Sequence, residues 1–430
     1  MSSVHASIAE PFQPEAIAGA ATPETPANSG EPALVTKRQS ANLNVGEMIT
    51  VAAQRCGKTP VQMMCEFAKL AFGPGKLSFE EYFALGVHDH KGGPLDAMAF
   101  VGLKGAREIW RTMNFDQTWT GVTDDKLAAD AMFRGLGFAV PNTVAVYSAK
   151  KKLPAYKVLN SAESLAAFLK EPSNYPLFGK PNDSLQSLGS ASLASYDAAT
   201  NSLVTTQGET IALDAFVTEI LENYSAGYLF QARLNPHADV RAMCGNRAAT
   251  VRVMTVMRKT GPEVLGALWK IPAGLNAADN FWRQGNLLAQ LDLETGRVRR
   301  VVCGAGLDAQ EVEAHPDTGA KLIGMQVPDW QKLIDVALDA HRFLSNIGLI
   351  GWDIAPCETG PVIVEPNCTP DFALPQIADR RGALDDRLKA LIAEKKAESQ
   401  LVAKRNVQAH TDERTRESKR LNLKLSRPSR

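Results

Sequence analysis

The stretch from Gly351-Trp352-Asp353-Ile354 to Glu365-Pro366-Asn367 constrains this chain more than any other. Apolar runs flank the turn residues Glu358-Thr359-Gly360-Pro361, so the segment predicts a β-hairpin. Side chains alternate between the two faces of a strand. Glu365 and Asn367, two apart, therefore share a face, and Asp353 on the partner strand can converge with them. Two carboxylates and an amide oxygen make a hard, all-oxygen set that suits Mg2+ or Mn2+ bridging phosphates. The alternative for the same spacing is an acidic pair at strand ends facing solvent.

Around this hairpin the chain reads as α+β. From Asp124 onward helices alternate with β-rich runs: "DDKLAADAMFRGLG" and the Ser-capped "SAESLAAFLK" predict helices. "YPLFGK", "GSASLASYD", "SLVTTQ", "FVTEIL", "TVRVMTVMRK", "EVLGALWKI" and "NLLAQLDLETGRVRRVV" predict strands, and "WQKLIDVALDAHRFLSNIG" a helix before the hairpin. Many strands with few βαβ units imply mainly antiparallel sheets. This domain is expected over residues 116–383. Residues 44–115 carry apolar side chains at helical spacing (Val61, Met64, Cys65, Ala68; Phe79, Tyr82, Phe83) and predict a small helical unit. Residues 1–43, rich in Ala, Pro, Ser, Glu and Thr, offer few large apolar groups to offset ordering entropy and predict a disordered tail. Residues 384–430 predict a helix, over about 383–403, and then a basic tail. Nine Lys/Arg against three Asp/Glu in 404–430 suit an acidic surface or, more simply, a solvated disordered terminus.

Composition excludes several function classes. Lys plus Arg equals Asp plus Glu at 47 each, so no global field favours nucleic acid. No run approaches ~18 apolar residues, so no membrane span is expected. The N-terminus lacks a basic segment followed by an apolar run, and the six cysteines include no Cys-x-x-Cys pair. A reduced, cytoplasmic protein is the expectation. Gly57-Lys58-Thr59 lacks the upstream glycine and strand of a phosphate-binding loop. His88-Asp89-His90 reads as a polar loop, Cys368 as a buried small residue, and Met63-Met64 as core.

Three further signals concern anions and nucleotides. Lys180 ends an apolar strand and precedes "NDSLQSLGS", a loop whose Ser187, Gly189 and Ser190 can fold backbone N–H groups over phosphates; alternatively it is a solvated lysine. "FVTEILENYSAG" reads as a strand running into an adenine-binding hinge at Glu219, Ile220, Leu221 and Glu222. Arg252, a charge between apolar β residues, faces either solvent or a cleft, where its planar fork would match phosphate or carboxylate oxygens.

The order of these parts resembles the ATP-grasp superfamily, and more narrowly its sugar-transfer-associated family, over roughly residues 75–383. "GWDIAPCETGPVIVEPNCTPDF" is the most specific block, and "DNFWRQGNLLAQLDLETGRV" is similar to the family's Asp-Asn and glycine-rich segment. The resemblance implies two α+β lobes gripping ATP, with Lys126 and Lys180 on phosphate and Glu219 to Glu222 on adenine and ribose. It further implies magnesium on Asp353, Glu365 and Asn367, and a role in cell-surface polysaccharide synthesis. The loop departs from the family in having a single glycine, Gly189. The implied activity is a ligase that activates a small-molecule carboxylate for attack by an amine or similar nucleophile, with Arg252 and Lys180 acting in catalysis. A sugar or small-molecule kinase on the same fold, or a non-catalytic ATP-binding protein, are the rival readings.

Overall fold

The computed structural model describes residues 45–183 and 188–425. The expected disordered tail and Ser187 lie outside the described residues. Upstream of the sheets, short helices are fixed by local capping. Thr59 caps Pro60–Ala71, with Gln62 returning the bond, and Ser78 caps Phe79–Ala84 with Glu81. Gly57-Lys58-Thr59 is thus a helix boundary. Met63 is buried here but Met64 is exposed, and His88 is buried against Tyr82 and Phe83 rather than lying in a polar loop.

Two seven-stranded sheets follow. The first contains β1 (Thr143–Tyr147), β2 (Val158–Leu159), β3 (Leu177–Pro181), β4 (Ala191–Asp197), β5 (Ser202–Thr205), β6 (Thr210–Ala212) and β7 (Tyr228–Ala232), in the order β2-β1-β7-β3-β4-β5-β6. The second contains β8 (Val251–Arg258), β9 (Gly261–Ile271), β10 (Leu287–Leu291), β11 (Val298–Cys303), β12 (Gln310–Glu311), β13 (Leu349–Cys357) and β14 (Gly360–Asn367), in the order β12-β11-β10-β9-β8-β13-β14. Every pairing except β1–β2 is antiparallel, as the scarcity of βαβ units implied.

Alternation decides which side chains reach the cleft. In the first sheet Leu177, Leu193, Tyr228 and Phe230 pack on helices Ala162–Lys170 and Leu213–Asn223. Phe178, Lys180, Ser192 and Gln231 therefore face the other way. In the second, Val251, Val253, Trp269, Ile271, Trp352 and Ile354 pack on helix Trp330–Phe343. Arg252, Lys270 and Asp353 consequently share the opposite face. The N-terminal helices cover another part of that face, through Leu268, Leu288 and Val302.

Two elements differ from expectation. "FVTEIL" belongs to the helix Leu213–Asn223 rather than a strand, because Phe216, Val217 and Ile220 recur at helical spacing and all bury. The C-terminal helix runs Asp386–Leu425, well past the expected end at 403 and through most of the basic segment. That segment is rich in Lys and Arg, both good helix formers, and its described side chains are exposed.

Candidate active site

Between the sheets lies a cavity of about 790 Å³, within the size range of small-molecule sites. One wall carries Phe178, Lys180, Ser190, Ser192 and Gln231, and the other Thr250, Lys270, Asp279, Asp353, Val364 and Glu365. Lys126, first residue of helix Lys126–Gly135, reaches the same space.

The hairpin brings its two carboxylates side by side. Asp353 and Glu365 are register partners, and Asn367 lies opposite Gly351. A shift in register between Asp353 and Ile354 makes this alignment, because Ile354 pairs with Ile363 and Val364 is left over. Such a bulge re-aims the residue that follows it. Glu365 Oε1 lies 3.6 Å from Lys126 Nζ. Lys180 is buried beside them, and burial pushes its ammonium pKa below the usual lysine range, with Glu365 opposing and Lys126 adding to the fall. Lys126 and Lys180 bring two cations to this corner, a setting that can receive an anion.

Asp353 is held from behind. Arg252, its register partner on β8, forms a fork with Nε–Oδ1 at 2.6 Å and Nη2–Oδ2 at 2.9 Å. Lys270 Nζ donates to Oδ2 at 3.1 Å. Burial alone would raise the Asp353 carboxyl, but Arg252 and Lys270 outweigh it and hold it at about 2. Burial likewise opposes the Arg252 charge, and Asp353 overcomes it, so the guanidinium sits above its ordinary range. Gly351 makes room for this fork: a Cβ there would stand 3.1 Å from Arg252 Cδ and 2.7 Å from Pro370 Cβ. Lys270 also lies 3.6 Å from Asp279 Oδ1.

The donor set can be tested against a metal. Asp353, Glu365 and Asn367 present only oxygens to a cation, and the Asn367 amide nitrogen is directed away, toward Gly351 O at 3.4 Å. That chemistry fits Mg2+. Among the described residues no group of three or more His, Cys, Asp and Glu side chains is placed to hold a metal ion.

Not every expected residue converges. Lys126, Lys180, Ser190, Asp353 and Glu365 line the cavity, whereas Asn367, the last residue of β14, is not among the lining residues. Gly189 is buried with a φ of +74° and its carbonyl accepts from Tyr228 Oη at 2.9 Å, so it shapes the loop rather than lining the space. Arg252 stands behind Asp353, outside the lining, where it positions a carboxylate instead of meeting a ligand. Glu219, Ile220, Leu221 and Glu222 do not reach the cavity at all. They sit on the helix that packs the far face of the first sheet, with Glu219 and Ile220 buried there.

The segment that does run along the cavity from β7 toward the second sheet is Gln231-Ala232-Arg233-Leu234. Its signal, an apolar strand "YLF" opening into polar residues, was available in the sequence. Lys270 was equally legible, since "ALWKI" places a charge among apolar β residues just as "TVRVM" does. Asp279 was marked only through the resemblance, as the aspartate of the Asp-Asn segment, and Thr250 carried no mark.

No curated protein matches the chain. Among solved structures, D-alanine-D-alanine ligase from Coxiella burnetii aligns with a TM-score of 0.38 and 12% identity, covering 67% of this chain and 62% of that one. L-amino acid ligase from Bacillus licheniformis aligns at 0.32 and 11%, covering 64% and 49%. An ADP complex of PurK, N5-carboxyaminoimidazole ribonucleotide synthetase, aligns at 0.33 and 12%, covering 59% and 46%. The chain thus spans less than two thirds of each of these proteins. The model of the sugar-transfer-associated ATP-grasp family matches residues 107–392. With more than half of its length matched, and two antiparallel sheets flanking a cleft, the chain belongs to the sugar-transfer-associated ATP-grasp family.

Proposed function

We propose that the cleft binds Mg·ATP and uses it to activate a small-molecule carboxylate as an acyl phosphate, which an amine or similar nucleophile then attacks. The observation that carries this reading is the convergence of Lys126, Lys180 and Glu365 at one corner of the cavity, beside Asp353. In it, Lys126 and Lys180 neutralise phosphate oxygens, and Ser190 lines the phosphate end. Backbone groups of Gln231 to Leu234 read the adenine edge, with Phe178 and Val364 as apolar walls. Asp353, Glu365 and Asn367 would hold the magnesium, which supplies charge neutralisation at the bond that breaks.

The chain's own residues hold the reactants in line and exclude water, and positioning with electrostatics supplies most of the acceleration in such transfers. Lys180 stays protonated because phosphate oxygens restore the charge that burial disfavours. The family description supports a setting in sugar transfer, and polysaccharide biosynthesis in the cytoplasm is the corresponding proposal for its place in the cell.

The test is the fate of the nucleotide with pooled carboxylic acids and amines. ADP and phosphate are expected, with ¹⁸O from the acceptor carboxylate appearing in the phosphate. AMP would overturn the mechanism. A phosphorylated product without free phosphate would make the protein a kinase.

A further inference from the structure

We propose that the outer face of helix Pro60–Ala71 is a docking surface for a second copy of this chain, in an antiparallel two-fold pair. The helix has two apolar faces. Met63 and Leu70 are buried in the N-terminal core, and Phe67 packs on Phe79 and Tyr82 with ring centroids 5.3 and 6.1 Å away. Val61, Met64, Cys65 and Ala68, whose helical spacing predicted a core face, are exposed instead. Phe72, the residue that closes the helix, continues the row one turn on and is 93% exposed.

These positions recur at i, i+3, i+4, i+7 and i+11, the spacing of a face that packs on another helix. None of them is charged. Exposed apolar side chains are ordinary when scattered, but a continuous row on one face marks an interaction site. None of the five lines the cleft, so the nucleotide site does not account for them.

What fits the row is the row itself. A two-fold axis crossing the helix midway between Glu66 and Phe67 brings Val61 of one copy level with Phe72 of the other, and Cys65 level with Ala68. The largest side chain thus meets a smaller one at each end. The small pair lies at the crossing, where packed helix axes come within about 8–10 Å. Charge agrees along the flank. Glu66 Oε2 already accepts from Lys58 Nζ at 2.8 Å and Tyr82 Oη at 2.9 Å, whereas its Oε1 takes no bond among the described residues. The same axis sets that oxygen on the flank of the exposed Lys69 of the other copy.

An isologous pair of this kind closes at two copies. The row and its flanking stems offer roughly 500 Å² per copy, so the pair buries about 1,000 Å², the lower limit for a specific interface. Association is therefore weak and follows concentration. Cys65 provides a probe of the register, because it is exposed while Cys244, Cys357 and Cys368 are buried. In the pair both Cys65 side chains lie on one flank, less than a helical turn apart along the axis, within reach of a short bis-maleimide.

Sedimentation velocity on the full chain, from about 1 µM to 1 mM, is expected to show monomer passing to dimer and no larger species. Phe72→Ala should weaken the pair about thirtyfold or more, because the two-fold counts each loss twice. Val61→Glu should hold the chain as a monomer, and an acid in the first turn does not weaken the helix. Both side chains are exposed, so the melting temperatures of these variants should match wild type. The bis-maleimide should join two wild-type chains but not two Cys65→Ser chains, which still sediment as dimers. A monomer at every concentration would leave the row to some other protein and overturn the assignment. So would a dimer that Phe72→Ala and Val61→Glu leave intact.

Discussion

Replacing Asp353 by Asn separates two roles that the same carboxylate is asked to play. In the free protein Asp353 is buried and neutralises two buried cations, accepting twice from Arg252 and once from Lys270. The amide keeps the shape but takes from both cations the carboxylate they contact directly, leaving Asp279 3.6 Å from Lys270 and the more distant Glu365 and Asp371 acting on Arg252. Removing one partner of a buried ion pair costs about 3–5 kcal/mol. With a urea dependence of roughly 3 kcal/mol per molar, the high end for small proteins, the unfolding midpoint should fall by about 1–1.7 M. The measurement is made with chelator and without nucleotide, so loss of a metal ligand cannot contribute. Adding Lys270→Met removes one stranded cation and should recover part of the loss. Glu365→Gln is the contrast: its one ionic contact is 3.6 Å long and part-exposed, so the midpoint should barely move. An Asp353→Asn midpoint equal to wild type would refute the counter-ion argument.

Two other outcomes follow from the same region. His341 Nε2 meets the Ile347 carbonyl at 2.8 Å, so that nitrogen carries the proton and Nδ1 accepts from Thr255 Oγ1 at 2.7 Å, which in turn accepts from Trp352 Nε1 at 2.8 Å. Burial lowers the His341 pKa to about 4 against about 6.5 unfolded; the unfolded chain binds more protons in that window, so stability is full above about pH 6.5 and falls by about 3 kcal/mol as pH drops toward 4. Urea midpoints across that range should show the slope in wild type and not in His341→Gln. Gly351→Ala should destabilise by about 1–3 kcal/mol through crowding and should weaken the Arg252–Asp353 fork, visible as a lowered midpoint that Arg252→Lys, with its narrower head, partly relieves.

Part of the site was legible from strand alternation, which assigns Glu365 and Asn367 to one face. Asp353 joins them only through the register shift between Asp353 and Ile354, which the spacing does not show. The hinge was misplaced because "FVTEILEN" satisfies helical and strand patterns over a short window, and burial against Tyr228 and Phe230 decides for the helix. Arg252 was assigned a ligand because sequence shows a charge on a strand but not its partner across the sheet. Asp279 was marked only as part of the Asp-Asn segment of the resemblance: its contacts with Lys270 and Thr250 are ones that only the fold brings to it. The long C-terminal helix was cut short because its charge suggested solvation, which exposed helices also satisfy.

The central claim, that the cleft between the two sheets is a Mg·ATP site, is tested most directly by titrating the protein with Mg·ATP. One site per chain is expected, weakened about ten- to a hundredfold in Lys180→Ala, since that variant removes a single charge-assisted contact. The wild-type affinity should also decline as pH rises, beginning below the ordinary lysine value of about 10.4, because burial has lowered the Lys180 pKa and phosphate binds only its protonated form. A folded Lys180→Ala protein that binds Mg·ATP as tightly as wild type would contradict the account.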